Sequence, residues 1–235
     1  MCPQELDPDI ESWPKVGGDT LLTCGAKEFG IRLGSAESLH FHTYLGEILH
    51  WSGRTNLTGL TNAEAIVRLG FLDSLALVPL IPAGSKRVID LGSGAGFPAI
   101  PVAIARPDLH ITLVEVSRKR ISFLRHIVRL LKLPGVEVQP GRIESFLDRF
   151  PMMAGSFDIG LARAVAPPMD AARMLHPFLR SGGLFLAQVG SGPKPGGPLR
   201  TIQSPGFEVS KAIRVPDWIG RPERQILVLR KTDCA

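Results

Sequence analysis

The stretch Arg87-Val-Ile-Asp-Leu91, running into Gly92-Ser-Gly94-Ala-Gly96-Phe97-Pro98, decides how this chain is read. The first five residues have the length and apolar character of a buried strand. Three glycines follow at alternate positions. Glycine lets the backbone enter conformations closed to other residues and lets a ligand approach the main chain. Pro98 suits the first position of a helix, whose free N–H groups and positive dipole end favour negatively polarised ligand groups. A strand, a glycine loop and a helix in that order form a nucleotide-binding element.

Outward from the loop, strands and helices alternate. His110 to Val116 reads as the second strand and Ser117 to Lys132 as the next helix, with Val136 to Gln139 and Phe157 to Leu161 as the third and fourth strands. Pro167 or Pro168 opens a helix that Gly182-Gly183 is expected to end, before a fifth strand from Leu184 to Val189. Phe207 to Val215 and Gln225 to Arg230 form a final antiparallel pair. This alternation predicts an α/β fold, a mostly parallel seven-stranded sheet with helices on both faces.

Ahead of the sheet, Phe41, Tyr44, Leu45, Ile48 and Leu49 share a helical face behind a Ser35 cap. A second helix is expected from about Asn62, and a third through Leu72, Leu75 and Leu77 until Pro79 stops it. Residues 1–34 hold several prolines and glycines without periodicity and are expected to be loose. The division is therefore a loose segment over 1–34, a helical cap over 35–84, and a ligand-binding domain over 85–235 packed with the cap as one unit.

Composition narrows the function. Residues 1–38 carry three basic and seven acidic side chains, and residues 39–235 carry 24 basic against 15 acidic. A basic body suits a polyanion such as nucleic acid, and arginine outnumbers lysine 19 to 8, favouring phosphate. An arginine-rich chain also follows from a GC-rich genome, so both readings stand. The three cysteines, Cys2, Cys24 and Cys234, have no metal-ligand or paired spacing. The acidic start lacks the order of a secretion signal, and the longest apolar runs are too short to span a bilayer. A cytoplasmic protein without metal or membrane is expected.

Two ligands compete for the loop. A dinucleotide site wants a third glycine where Phe97 stands. The order here, Asp-x-Gly-x-Gly-x-Gly from Asp90 to Gly96, is that of class I S-adenosylmethionine-dependent methyltransferases. Glu115, at the end of the second strand, can accept hydrogen bonds from both ribose hydroxyls of either ligand.

Further stretches extend the likeness: Trp51 to Thr58, Leu72-Asp73-Ser74, Asp90 to Pro101, Lys119-Arg120 with Phe123-Leu124, Arg142-Ile143-Glu144 and Ala162-Arg163-Ala164. In this order they resemble the bacterial 16S rRNA guanine-N(7) methyltransferases, the glucose-inhibited division protein B family, over about residues 38 to 230. The resemblance implies a class I methyltransferase (Rossmann-like) fold and S-adenosyl-L-methionine as cofactor. The reaction implied is rRNA methylation, making 7-methylguanine in the decoding-region loop of 16S rRNA. The implied partner is 16S rRNA or the small ribosomal subunit, and the protein is expected to act as a monomer. Asp90, Gly92, Gly94, Gly96, Phe97, Glu115, Ile143, Glu144 and Arg163 would bind the cofactor. Arg163 and Asn56 would be catalytic, with Asn56, Arg68 and Asp73 near the pocket mouth. Arg163 could equally bond guanine O6 or the cofactor carboxylate.

Two positions depart from the family pattern. Leu69-Gly70 stand where a histidine usually follows the arginine corresponding to Arg68, with an apparent extra residue. Ala187-Gln188-Val189-Gly190 stands where Ala-Leu-Lys-Gly is frequent. A paralogue acting on another RNA or a small molecule, and a non-catalytic cofactor-binding protein, are the alternatives.

Guanine N7 is an unprotonated acceptor, so its methylation needs no general base. Methylation at pyrimidine C5 usually needs a cysteine nucleophile, and none lies between Cys24 and Cys234. Exocyclic-amine enzymes commonly carry Asp/Asn-Pro-Pro-aromatic after the fourth strand, unlike Ala162-Arg-Ala-Val-Ala-Pro167-Pro168-Met169. For RNA contact, Arg68, Lys119, Arg120 and Arg125 are the candidates. Arg118, Arg125, Arg129 and Lys132 form a basic stripe opposite Ile121, Leu124, Val128 and Leu131. Such a stripe is also an ordinary solvated face. His40, His42 and His50 receive no role, and Trp51 is expected to pack the cap or stack on a base.

Overall fold

A computed structural model describes residues 15–16, 19–53, 55, 57–84, 86–190, 206–216 and 224–232. The sheet consists of β1 (Arg87–Leu91), β2 (His110–Glu115), β3 (Val136–Pro140), β4 (Phe157–Arg163), β5 (Leu179–Val189), β6 (Phe207–Val215) and β7 (Arg224–Lys231). Their order across the sheet is β3-β2-β1-β4-β5-β7-β6. β3 through β5 pair in parallel, and β7 pairs antiparallel with both β5 and β6. This is the α/β architecture expected from the alternation.

Alternate residues of each strand supply two cores. Val88, Leu113, Leu161, Leu186 and Val228 pack on the face covered by the cap, α5 (Ala99–Ala105) and α6 (Arg118–Leu130). Ile89, Leu91, Val114, Phe185 and Leu229 pack on the other face, with α7 (Phe146–Arg149) and α8 (Pro168–Leu175). With both faces covered, β1 buries every residue after Arg87. Strand order reverses between β1 and β4. In a parallel sheet such a switch point opens a crevice beyond the carboxyl ends of the strands.

The cap differs from expectation in two places. The segment read as loose contains α1 (Leu21–Glu28), capped by the Thr20 hydroxyl, which accepts the Thr23 N–H at 3.2 Å. Leu21, Leu22 and Ala26 are buried in the core, and a side chain at Gly25 would collide with Leu72. The glycine that read as a loop signal is a close-packing residue. After α2 (Ser35–Ser52), the two separate helices expected from Asn62 to Pro79 are one continuous run. It comprises α3 (Ala63–Ala65), a π-helical stretch Ile66–Leu72 and α4 (Asp73–Leu75).

The apparent extra residue at Leu69-Gly70 falls inside that π-helical stretch, as an added residue widens a helical turn. A Cβ at Gly70 would lie 2.6 Å from the Phe97 ring, so only glycine lets this helix press against the nucleotide loop.

The helix opened by Pro168 ends at Leu175, earlier than Gly182-Gly183. Pro177 has no N–H to continue it. The two glycines instead sit in an irregularity of β5, where its register with β4 jumps from Phe157↔Leu179 to Ile159↔Leu184.

Candidate active site

The loop after β1 adopts the conformation its glycines permit. Gly92, Gly94 and Gly96 have φ of 68°, 60° and 95°. Gly92 is closed in by Val165, and Gly96 by Ile100 and the Tyr44 hydroxyl, each within 2.6 Å of an added Cβ. At Gly94 an added Cβ would meet only the Gly92 carbonyl oxygen, at an ordinary contact distance of 3.8 Å. From behind, the Tyr44 hydroxyl donates to the Ala95 carbonyl at 2.5 Å, and Tyr44 stacks on Phe71 while contacting Phe97.

Glu115 ends β2 and is buried. Its Oε2 accepts the Gly94 N–H at 2.8 Å, and its Oε1 accepts the N–H groups of Val116 and Ser117, both at 2.8 Å. It thus ties the loop of the first strand to the end of the second. Oε1 already carries two hydrogen bonds, so Oε2 offers the open acceptor position toward a ribose.

Beside this carboxylate lies a crevice of about 380 Å³, walled by Leu91, Val114, Ile143 and Met174 and edged by Glu115 and Glu144. Gly92, Arg120 and Ala164 also line it. Ile143 is buried in a short 3-10 turn after β3, whereas Glu144 beside it is exposed. The crevice joins these apolar walls to a charged rim of Glu115, Arg120, Arg142 and Glu144.

Two charged groups flank the loop on its inner side. Asp90 is fully buried, and neither carboxylate oxygen has a hydrogen-bond partner. Burial pushes its pKa up to about 7; the charge of Glu115 adds to the rise, and Ser93 and Arg163 oppose it. Arg163, the last residue of β4, holds its guanidinium 5.5 Å from the Phe97 ring centroid. Its Nη1 is buried without a partner. Burial lowers its pKa to about 10, against the opposing effects of Tyr44 and Asp90. The chain then turns sharply at Ala164, whose φ is 53°.

The unpartnered buried carboxylate of Asp90 fits the α-ammonium of an amino-acid ligand. With the apolar crevice for an aromatic base and Oε2 of Glu115 for a ribose, the residues present suit S-adenosyl-L-methionine.

The remaining candidates are spread more widely. Arg120 reaches the crevice, while Lys119 and Arg125 are exposed on α6. Arg68 pairs with Glu64 at 2.8 Å on the cap. Asn56 lies outside the described residues. Asp73 does reach the neighbourhood of Arg163: the two line a second cavity, with Gln188 and Arg224. Gln188 and Arg224 were missed because each is visible only once β5 and β7 are paired. Trp51 packs edge-on against Phe123 at 5.4 Å, fastening the cap to α6.

Residues 38–195 match the family model described as rRNA small subunit methyltransferase G. The chain belongs to this family. The small subunit methyltransferase G of Chloroflexus aggregans is 36% identical over 217 residues, covering 91% of this chain and 90% of its own. That of Caldanaerobacter subterraneus subsp. tengcongensis is 39% identical over 171 residues, covering 72% and 71%. Among solved structures, a SAM-dependent methyltransferase from Aquifex aeolicus superposes with a TM-score of 0.54 at 14% identity, covering 72% of this chain and 93% of its own. That likeness concerns the fold. In this chain Glu115 lines the crevice at the switch point of the sheet, and Arg163 lines the cavity beside it.

Proposed function

We propose that this protein transfers the methyl group of S-adenosyl-L-methionine to N7 of a guanine in the decoding-region loop of 16S rRNA. Methyl transfer to small-subunit rRNA is the activity named for its relatives. The observation that carries the reading is the meeting of glycine loop, Glu115 and unpartnered Arg163 at the end of β1 and β4.

When bound, the cofactor supplies an electrophilic methyl group on a sulfonium. Asp90 would accept from its ammonium group, Oε2 of Glu115 would accept from ribose, and Leu91, Val114, Ile143 and Met174 would enclose its base. Arg163, aimed between loop and substrate, would hold the incoming guanine. N7 carries a lone pair and no proton, so the new N–C bond forms as the S–C bond breaks, and no side chain has to take a proton. The chain accelerates this displacement by alignment, which in favourable cases contributes about 7–11 kcal/mol. It also keeps water from the reacting centre.

The exposed Arg118, Arg125 and Arg129 on the outside of α6, with Lys132 in the turn just past its end at Leu130, would meet phosphates of the rRNA. Among the described residues no helix is long and apolar enough to cross a membrane.

Incubation with tritiated S-adenosyl-L-methionine and small ribosomal subunits lacking the modification tests the proposal. Label on one guanine, released by 7-methylguanine-specific cleavage, is expected. Label on an exocyclic amine or a pyrimidine carbon would contradict it.

A further inference from the structure

Three buried polar atoms without partners converge beyond the cofactor crevice: Nη1 of Arg163, Oδ1 of Asp73 and Oε1 of Gln188. All three residues line a cavity of about 180 Å³, and Ala164 walls both this cavity and the crevice. Unpaired buried polar atoms are costly in a folded protein, and three in one cavity point to a ligand that completes them.

The surrounding bonds set which atom does what. Gln188 Nε2 donates to the Asp73 carbonyl at 2.6 Å, which leaves Oε1 as the unpartnered acceptor of a residue that lines the cavity. Asp73 is only 3% exposed, and its Oδ2 is paired with Arg224 from β7. That pairing leaves Oδ1 as the carboxylate oxygen without a partner. Arg163 and Gln188 are register partners on β4 and β5, so their side chains leave the sheet on the same side. The cavity's unpartnered buried atoms are therefore one donor and two acceptors.

We propose that this cavity is the target-base pocket and reads the Watson–Crick edge of guanine. Arg163 donates to O6, Asp73 accepts from N1–H, and Gln188 accepts from the 2-amino group. The ring N1–H is the more acidic donor and goes to the ionised acceptor. Adenine would set its amino group against the Arg163 donor and an acceptor nitrogen against Asp73, two mismatches at once. In guanine, N1 and N7 lie on opposite sides of the C6–O6 group. A base whose N1 edge enters the cavity past Arg163 therefore turns N7 back toward the loop. Reaching this depth requires the nucleotide to leave its stack. The inference rests on the guanine reading above and adds the residues that choose the base.

The test uses small subunits reconstituted with 16S RNA carrying either guanine or inosine at the target position. Inosine keeps O6, N1–H and N7 and lacks only the 2-amino group. The wild-type protein should methylate guanine with a kcat/KM at least tenfold above that for inosine. Gln188→Leu should slow guanine at least tenfold, leave cofactor affinity unchanged, and bring the two bases within about threefold of each other. A purely structural role for Gln188 would slow both bases equally and preserve their ratio, which would overturn the assignment. Equal wild-type rates on guanine and inosine would remove the pocket while leaving the N7 reaction intact. No label from the wild-type protein on the guanine substrate would remove the reaction and the pocket with it.

Discussion

The Tyr44 hydroxyl on the cap helix donates to the carbonyl of Ala95, 51 residues away in the middle of the nucleotide loop. The cap therefore braces the nucleotide loop, because a helix outside the sheet holds the loop's main chain from behind. Tyr44→Phe keeps the ring stacking and deletes the donor. The buried Ala95 carbonyl then has lost its partner, at a cost of about 1–3 kcal/mol in stability. Denaturant unfolding should show that loss, and calorimetry should show weaker binding of S-adenosyl-L-methionine by the same variant.

Glu115→Ala strips an acceptor from three backbone N–H groups, those of Gly94, Val116 and Ser117. Hydrogen bonds to a charged group contribute roughly 1.5–3 kcal/mol each, so stability should fall by several kcal/mol along with cofactor affinity. A variant with native melting temperature and only weaker binding would show that Glu115 touches the ligand without shaping the loop.

The glycines separate packing from ligand approach. An added Cβ at Gly94 makes only an ordinary 3.8 Å contact with the Gly92 carbonyl oxygen, so Gly94→Val should fold, at a cost of about 1–2 kcal/mol for its left-handed backbone, and fail to bind cofactor. Gly92→Val adds a collision with Val165 and should lose distinctly more stability. Thermal melts with and without cofactor distinguish the two.

Asp90 makes stability and binding respond oppositely to pH. Its folded pKa of about 7 stands above the ordinary 3.8. The contribution to folding is full below the lower value and disappears as pH rises through about 7, a change of about 4 kcal/mol. Pairing with an ammonium group needs the ionised form, so cofactor affinity should weaken about tenfold per unit as pH falls below 7. Asp90→Asn should flatten both profiles. Calorimetric titrations and melts from pH 5 to 8 read them.

Arg163→Ala should lower methyl transfer by about a hundredfold or more, since a buried charged donor at the reacting centre typically supplies about 3 kcal/mol. Single-turnover assays check this, with unfolding measurements to show that the fold survives.

Much of this was legible in the residues. The run from Arg87 to Pro98 announces strand, loop and helix, because alternating glycines have few other uses between an apolar strand and a helix. The alternation after it places all seven strands. What escaped lies where tertiary contact overrides local pattern. Gly25 reads as a breaker until Leu72 is seen against it, and Gly70 reads as an irregularity until the Phe97 ring explains it. Gln188 and Arg224 join Asp73 and Arg163 only through strand pairing and the packing of the cap helix against the sheet, since no spacing along the chain relates them. Glu115 was placed correctly at the end of its strand, yet its hold on the Gly94 amide depends on parallel pairing of β1 with β2.

The most direct measurement is a calorimetric titration of the purified protein with S-adenosyl-L-methionine at neutral pH, alongside Gly94→Val. One site per chain with micromolar affinity, absent in the variant, is the predicted result. Binding of NAD with no response to S-adenosyl-L-methionine would contradict the account at its root.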